Sequence, residues 1–232
     1  MNPWNKGFTK ETHPSIKKTS QTMRNKKIDN FRRWREEMKK IGIIPNGYPP
    51  LKKSRKLAEY LGVVLGDGNI SKFPRTERII ISCNSKNIGF IKRYSLFTEE
   101  LFNKKPTVSK VWNANNVRIS LYQKNISMRL EVPSGNRNNY KFKIPDWILK
   151  NNNYLISLLR GLYEAEGSLS IHAKTYTYNF QFRNVNQNLL KAVENGLRIL
   201  GYHPEVRKDA IRLRKKIEVA KFKELIKFRI YQ

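Results

Sequence analysis

Acidic residues are scarce in this 232-residue chain, where 18 Asp plus Glu stand against 47 Lys plus Arg for a formal net charge of +29. Cysteine is scarcer still. The single Cys83 can form no internal disulfide and leaves no second thiolate for a cysteine-held zinc site. The three histidines, His13, His172 and His203, are too scattered for a histidine cage, so any metal should be a hard cation held by carboxylates. No apolar run approaches the ~20 residues that cross a bilayer. Lys6, Lys10 and Glu11 leave no apolar signal region near the N-terminus. A soluble intracellular chain, cytoplasmic or organellar, is the expectation. What is present is core material: 39% hydrophobic residues, with 11 Phe, 11 Tyr and 4 Trp, enough for one core of about 200 residues or two of about 100.

The basic excess is not a tail. Residues 1–56 hold 16 basic against 4 acidic side chains, residues 57–150 hold 16 against 7, and residues 151–232 hold 15 against 7. An excess spread along the whole chain points to an extended polyanion, with nucleic acid ahead of an anionic membrane because no amphipathic basic helix or lipidation site supports the latter. A basic coat protein that uses its charge nonspecifically is the bland alternative.

Residues 1–50 have little to build a core with, since Trp4, Phe8, Phe31 and Trp34 are widely spaced among Lys, Arg, Asn and Thr. They read as a basic arm with a helix over about 15–40, Ser15 at its start and Gly42 at its end, followed by a linker at Pro45, Pro49 and Pro50. From Leu57 onward one pattern is used twice, in residues 51–150 and 151–232. Helices over 57–66 and 154–165 each end in an acid followed by glycine, Asp67-Gly68 and Glu166-Gly167, 99 residues apart in the numbering. Each is followed by two short strands, a helix (88–102 or 189–200), two more strands and a closing helix. The expected fold is therefore α+β, two pseudo-symmetric αββαββα units plus the arm.

The strands alternate apolar and polar residues. Ser168, Ser170, His172 and Lys174, then Asn179, Gln181 and Arg183, then Arg212 and Arg214 occupy one parity in the second copy. In the first copy the matching set is Arg78 and Ser82, then Arg118 and Ser120, with Ser71, Lys72 and Arg75 nearby. Period two sends the apolar set to helices and the polar set to a wet face. That face contains hydrogen-bonding and basic groups suited to base edges and phosphates, with no acid among these positions.

Gly62 and Gly66 in one opening helix, and Gly161 and Ala165 in the other, stand four residues apart and leave a smooth strip for close helix packing. Packing the two strips together would set Asp67 beside Glu166 at helix C-termini, where the backbone is already partly negative. A divalent cation such as Mg²⁺ between them would relieve both penalties.

Residues 60–68 (YLGVVLGDG) and 159–167 (LRGLYEAEG) resemble the LAGLIDADG motif of homing endonucleases. The second copy is the closer, and Leu65 replaces the motif's first acid in the first. The resemblance covers about residues 57–232 and implies a single-chain pseudo-dimer whose sheets form a DNA-binding saddle. It implies hydrolysis of both strands of a long double-stranded DNA target. The metal would be held by Asp67 and Glu166, helped by the carbonyls of Gly66 and Ala165, with Lys124, Asn184 and Arg214 as supporting catalytic residues. An RNA maturase bound to intron RNA, or a noncatalytic nucleic-acid-binding protein, uses the same fold and remains the alternative. The segment 5–12 and the helix after it also resemble DNA-binding segments attached to some homing endonucleases.

Overall fold

The computed structural model describes residues 3–45 and 47–231, which divide into two compact units, Met1–Tyr48 and Pro49–Gln232. No helix among the described residues is long and apolar enough to cross a membrane.

The first unit holds two helices, α1 (Pro14–Asn25) and α2 (Arg32–Lys40), rather than one continuous helix over 15–40. The break has a local cause. Lys27 takes a left-handed φ of 50°, and the amides of Lys26, Lys27 and Ile28 bond back to Thr22, Arg24 and Met23 carbonyls, closing α1. The Asp29 carboxylate then accepts from the Phe31 amide and starts a new turn. Ser15 is not the N-cap, because Pro14 is already helical and His13 precedes it in an extended conformation. Gly42, at φ 78°, does close α2. Neither helix buries a residue.

The second unit contains the repeat. Its first half runs α3 (Arg55–Gly66), β1 (Gly68–Lys72), β2 (Glu77–Asn84), α4 (Ile88–Phe102), β3 (Thr107–Lys110), β4 (Asn116–Gln123) and α5 (Ile126–Leu130). A loop over 131–145 and the short α6 (Asp146–Leu149) lead to the second half. That half runs α7 (Asn152–Glu166), β5 (Gly167–His172), β6 (Thr177–Arg183), α8 (Gln187–Ile199), β7 (Glu205–Val206), β8 (Ala210–Leu213) and α9 (Lys216–Leu225). Each half is thus αββαββα. The sheets are open, antiparallel and of matching order, β1-β2-β4-β3 and β5-β6-β8-β7.

Both halves share one core, from Leu57 and Tyr60 through Ile79, Ile119 and Leu158 to Phe180 and Phe222. Helix α3 is capped by Ser54, whose Oγ accepts from the Leu57 amide at 3.1 Å. Every residue from Leu57 to Leu65 is buried, which fits a helix covered on all sides rather than an amphipathic surface helix. Its buried charge is satisfied: Glu59 accepts from Arg93 at 2.7 and 2.8 Å and from Tyr94 Oη at 2.9 Å.

Helices α3 and α7 meet along the expected small-residue strip. A Cβ on Gly62 would strike the Leu158 carbonyl and lie 2.7 Å from the Leu162 nitrogen. One on Gly161 would strike the Glu59 carbonyl and lie 2.9 Å from the Val63 nitrogen. The two helices therefore touch through main-chain atoms. A chain segment after α9 fastens the halves from another direction, because Tyr231 donates to Glu164 of α7 while its ring packs on Gly89 and Phe90 of α4.

Candidate active site between the two motif helices

Packing α3 on α7 brings their C-terminal ends together. Asp67 caps α3, its amide bonded to the Val63 carbonyl at 2.9 Å, and Glu166 is the last residue of α7. A Cβ placed on Gly66 would lie 3.1 Å from Glu166 Cγ. Burial, with the negative charge of Glu166 adding to it, pushes the Asp67 carboxyl up to about 7. Burial also raises Glu166 above the ordinary carboxylate range. Two carboxylates thus share a partly desolvated place at two negative helix ends.

The donor set suits a hard cation. Among the described residues no three or more His, Cys, Asp or Glu side chains gather into a metal cage. The protein offers two carboxylates, with main-chain carbonyls, water or a ligand's oxygens left to complete the shell, as Mg²⁺ or Mn²⁺ requires.

A cleft of about 200 Å³ beside Glu166 is lined by Gly66, Arg137, Asn138, Asn184 and Asn186. Asn184 thus shares the cleft with Glu166. Its Oδ1 accepts from the Asn186 amide at 2.9 Å. By register its counterpart in the first half is Cys83, since Gly68 pairs with Ile81 and Gly167 with Phe182. Burial and the nearby Asp67 charge push the Cys83 thiol up to about 11.

Lys124 and Arg214 are not brought to the carboxylates. Lys124 follows Gln123, which pairs with Glu77, four residues along β2 from the Ile81 that faces Gly68. Lys124 is one residue further on, so at 3.3 Å per residue it is about 17 Å away along the sheet. Arg214 follows Leu213, which pairs with Phe180, placing Arg214 three residues along β6 from Phe182, about 10 Å. In an antiparallel sheet the strand after a long return leaves at the end opposite the motif, which residue order alone does not reveal.

The basic residue that does reach the site is Arg137, which the sequence reading missed. Its guanidinium donates to the Val64 carbonyl at 2.8 Å and to the Gly68 carbonyl, spanning Asp67 on both sides. Burial holds it below its ordinary range. Asn186 anchors its loop by donating to the Arg137 and Tyr140 carbonyls, each at 2.9 Å. No spacing links Arg137 to a motif, and its only sequence signal was a basic residue in the loop joining the two halves.

The polar sheet faces are largely as read. Ser71, Arg78 and Tyr122 form one cross-strand row, and Ser82 and Arg118 another. Asn69, Ile80 and Ser120 lie between them, and Asn69 was not anticipated. In the second half Ser168, Gln181 and Arg212 form a row, Ser170 faces Asn179, and His172 faces Thr177. Three positions differ. Lys72 pairs with Glu77 and shares the parity of core residue Ile70, so it leaves the polar face at the sheet's outer end. Arg75 sits in the exposed turn between β1 and β2, and Lys174 in a short 3₁₀ turn, Ala173–Thr175. The second face is also less purely basic than its pattern implied, because β7 sets Glu205 opposite Arg212 and Arg183 is paired with Asp209.

No protein-family model and no curated protein matches the sequence. Solved structures do. Mesophilic variants of the homing endonuclease I-DmoI align at 20% identity with a TM-score of 0.53, over 74% of this chain and 94% of theirs. I-DmoI in complex with DNA and Mn aligns at 19% and 0.52, over 74% and 96%. The N-terminal LAGLIDADG domain of DUF199/WhiA aligns at 15% and 0.51, over 75% and 84%. The chain has the LAGLIDADG fold. Within that fold the two LAGLIDADG-like segments are the paired helices α3 and α7, and the acids ending them are Asp67 and Glu166.

Proposed function

We propose that this protein is a divalent-metal-dependent DNA endonuclease that cuts both strands of a double-stranded target. The observation that carries the reading is the pairing of Asp67 with Glu166, where burial and mutual repulsion lift Asp67 to about 7. A chain that only coats nucleic acid has no use for two carboxylates held together at negative helix ends.

In this reading Asp67 and Glu166 hold the cation, with the carbonyls of Gly66 and Ala165 nearby. A bound Mg²⁺ supplies charge stabilisation and a water activated for attack on phosphorus. The remaining work belongs to the chain. Arg137 holds the carbonyls on either side of Asp67 and so fixes its backbone. Asn184, on the cleft beside Glu166, can hydrogen-bond a phosphate oxygen or an ordered water. The two polar sheet faces dock in the major groove on either side of the cut. One chain contributes both halves, so a single copy suffices. Residues 51–150 and 151–232 serve as the two half-site readers, and the basic arm of residues 1–50 extends the contact with DNA.

A second reading is favoured by the WhiA likeness: nucleic-acid binding without cleavage, including binding of intron RNA. The separating experiment starts from a duplex selected out of a randomised library. The parent should cut it in Mg²⁺, whereas Asp67→Asn and Glu166→Gln should each slow cutting at least about a hundredfold, as loss of a charge-stabilising group does, and still bind. Equal cutting by parent and variants sinks the two-carboxylate site. Binding without any cutting by the parent in Mg²⁺ or Mn²⁺ selects the second reading.

A further inference from the structure

The two sheets can be superposed by register, since Gly68 faces Ile81 in one and Gly167 faces Phe182 in the other. Three residues before those partners stand Arg78 and Asn179, at the same place in each half. Each lies opposite a serine, Ser71 or Ser170. Both sit on an inner strand of their sheet, β2 or β6, Arg78 between β1 and β4 and Asn179 beside β5, one residue from the first β6–β8 pair. An inner strand of a sheet laid in a groove is nearest the bases, whereas the edge strands run beside the phosphates.

The surroundings of these two side chains differ. The Arg78 guanidinium lies 5.5 Å from the Phe73 ring centre and 5.7 Å from that of Tyr122, and its Nη1 donates to Tyr122 Oη at 3.2 Å. Both rings are open to solvent, Phe73 at 39% and Tyr122 at 45% exposure. The planar fork is thus already oriented, its rotamer entropy lost before any partner arrives. Its Nε is buried with no acceptor. Asn179 has no such clamp, and its Oδ1 is turned inward without a donor, so nothing in the protein opposes a turn of the amide toward a base. The neighbouring polar groups are occupied with one another: Ser71 donates to Asn69 at 2.8 Å, and Ser170 lies 3.3 Å from His172 Nε2.

We propose that Arg78 and Asn179 are matched specificity residues, Arg78 reading a guanine in one half-site and Asn179 an adenine at the equivalent position of the other. This rests on the DNA-recognition reading above. The chemistry is that of the major-groove edges. A fixed guanidinium fork presents two donors to guanine O6 and N7, while an amide accepts from adenine N6 and donates to N7. An asparagine amide can meet a phosphate only through its N–H donors, whereas a base edge uses both its donor and its acceptor, and the phosphate-binding option for Arg78 does not use its aromatic clamp.

The test is selection of bound duplexes from a randomised library with the full chain in EDTA, followed by sequencing. The parent should enrich guanine at one position and adenine at its mirror position. Arg78→Asn should turn the first preference from guanine to adenine and leave other positions unchanged. Asn179→Arg should do the converse. Each mismatch should cost about 5- to 150-fold in affinity, the scale of one bidentate base contact. Tyr122→Phe keeps the ring and removes the hydroxyl, and should weaken the guanine preference several-fold with no change in melting temperature. If Arg78→Asn keeps the guanine preference, or weakens all sequences alike, Arg78 does not read a base and the proposal fails while specific DNA recognition stands. If the parent enriches no sequence, the recognition reading fails with it.

Discussion

Asp67 is the residue on which structure and chemistry pull hardest against each other. Its carboxyl is lifted from 3.8 to about 7 by burial and by Glu166. The folded protein therefore holds that proton more tightly than the unfolded chain. The resulting stability is full below about pH 4 and is lost as pH rises through about 7. Three pKa units correspond to about 4 kcal/mol as an order of magnitude. Asp67→Asn should consequently raise the melting temperature of the metal-free protein by several degrees at pH 8 in a chelator, and by much less near pH 4. Identical melting of parent and variant at pH 8 would show that the ionised carboxylate costs nothing there. Both acids were legible in the sequence because a repeat marked them. Arg137 was not, because what brings it to the site is the course of a loop pinned by Asn186. Lys124 and Arg214 failed for the related reason that nearness along the chain to a strand end does not say which end.

At the scale of elements, the α3–α7 contact decides whether the site exists. The small-residue strips were readable as spacing, and the structure adds that the surfaces meeting there are carbonyls and amides. A side chain has nowhere to go. Gly161→Ala should destabilise the fold by at least about 1–3 kcal/mol, the cost of overpacking a tight core, and cutting should fall further than stability because the two acids are displaced together. A chemical-denaturation midpoint equal to that of the parent would contradict a main-chain contact. Strand alternation was also legible wherever the strand was long enough to show it, as in β2, β4 and β6. The two-residue β7 has no period to read, and it brought the unanticipated Glu205 onto the polar face. In the arm, composition announced helix but not its interruption, which depends on a left-handed Lys27 and on Asp29 reaching the next amide.

For the molecule as a whole, the +29 excess predicts a steep dependence of DNA affinity on salt. Each phosphate neutralised should contribute about −0.9 to the slope of log K against log[salt]. Removing residues 1–48, with 12 basic and 4 acidic side chains, should flatten that slope and weaken binding to all sequences alike while leaving cleavage detectable. An unchanged slope would take the arm off the DNA. The two-half architecture was the most legible property of the chain, because duplication writes the same pattern twice. The fastening by Tyr231 was not, since it joins α7 to α4 across distant stretches of sequence. It has a consequence in time. A ribosome adds about 5 to 20 residues per second, so about 6 to 26 s separate completion of α4 from the arrival of Tyr231. Both motif helices and both acids are made within that interval, yet the Gly89 and Phe90 surface of α4 stays uncovered, and Glu164 lacks its Tyr231 donor, until the last residues emerge.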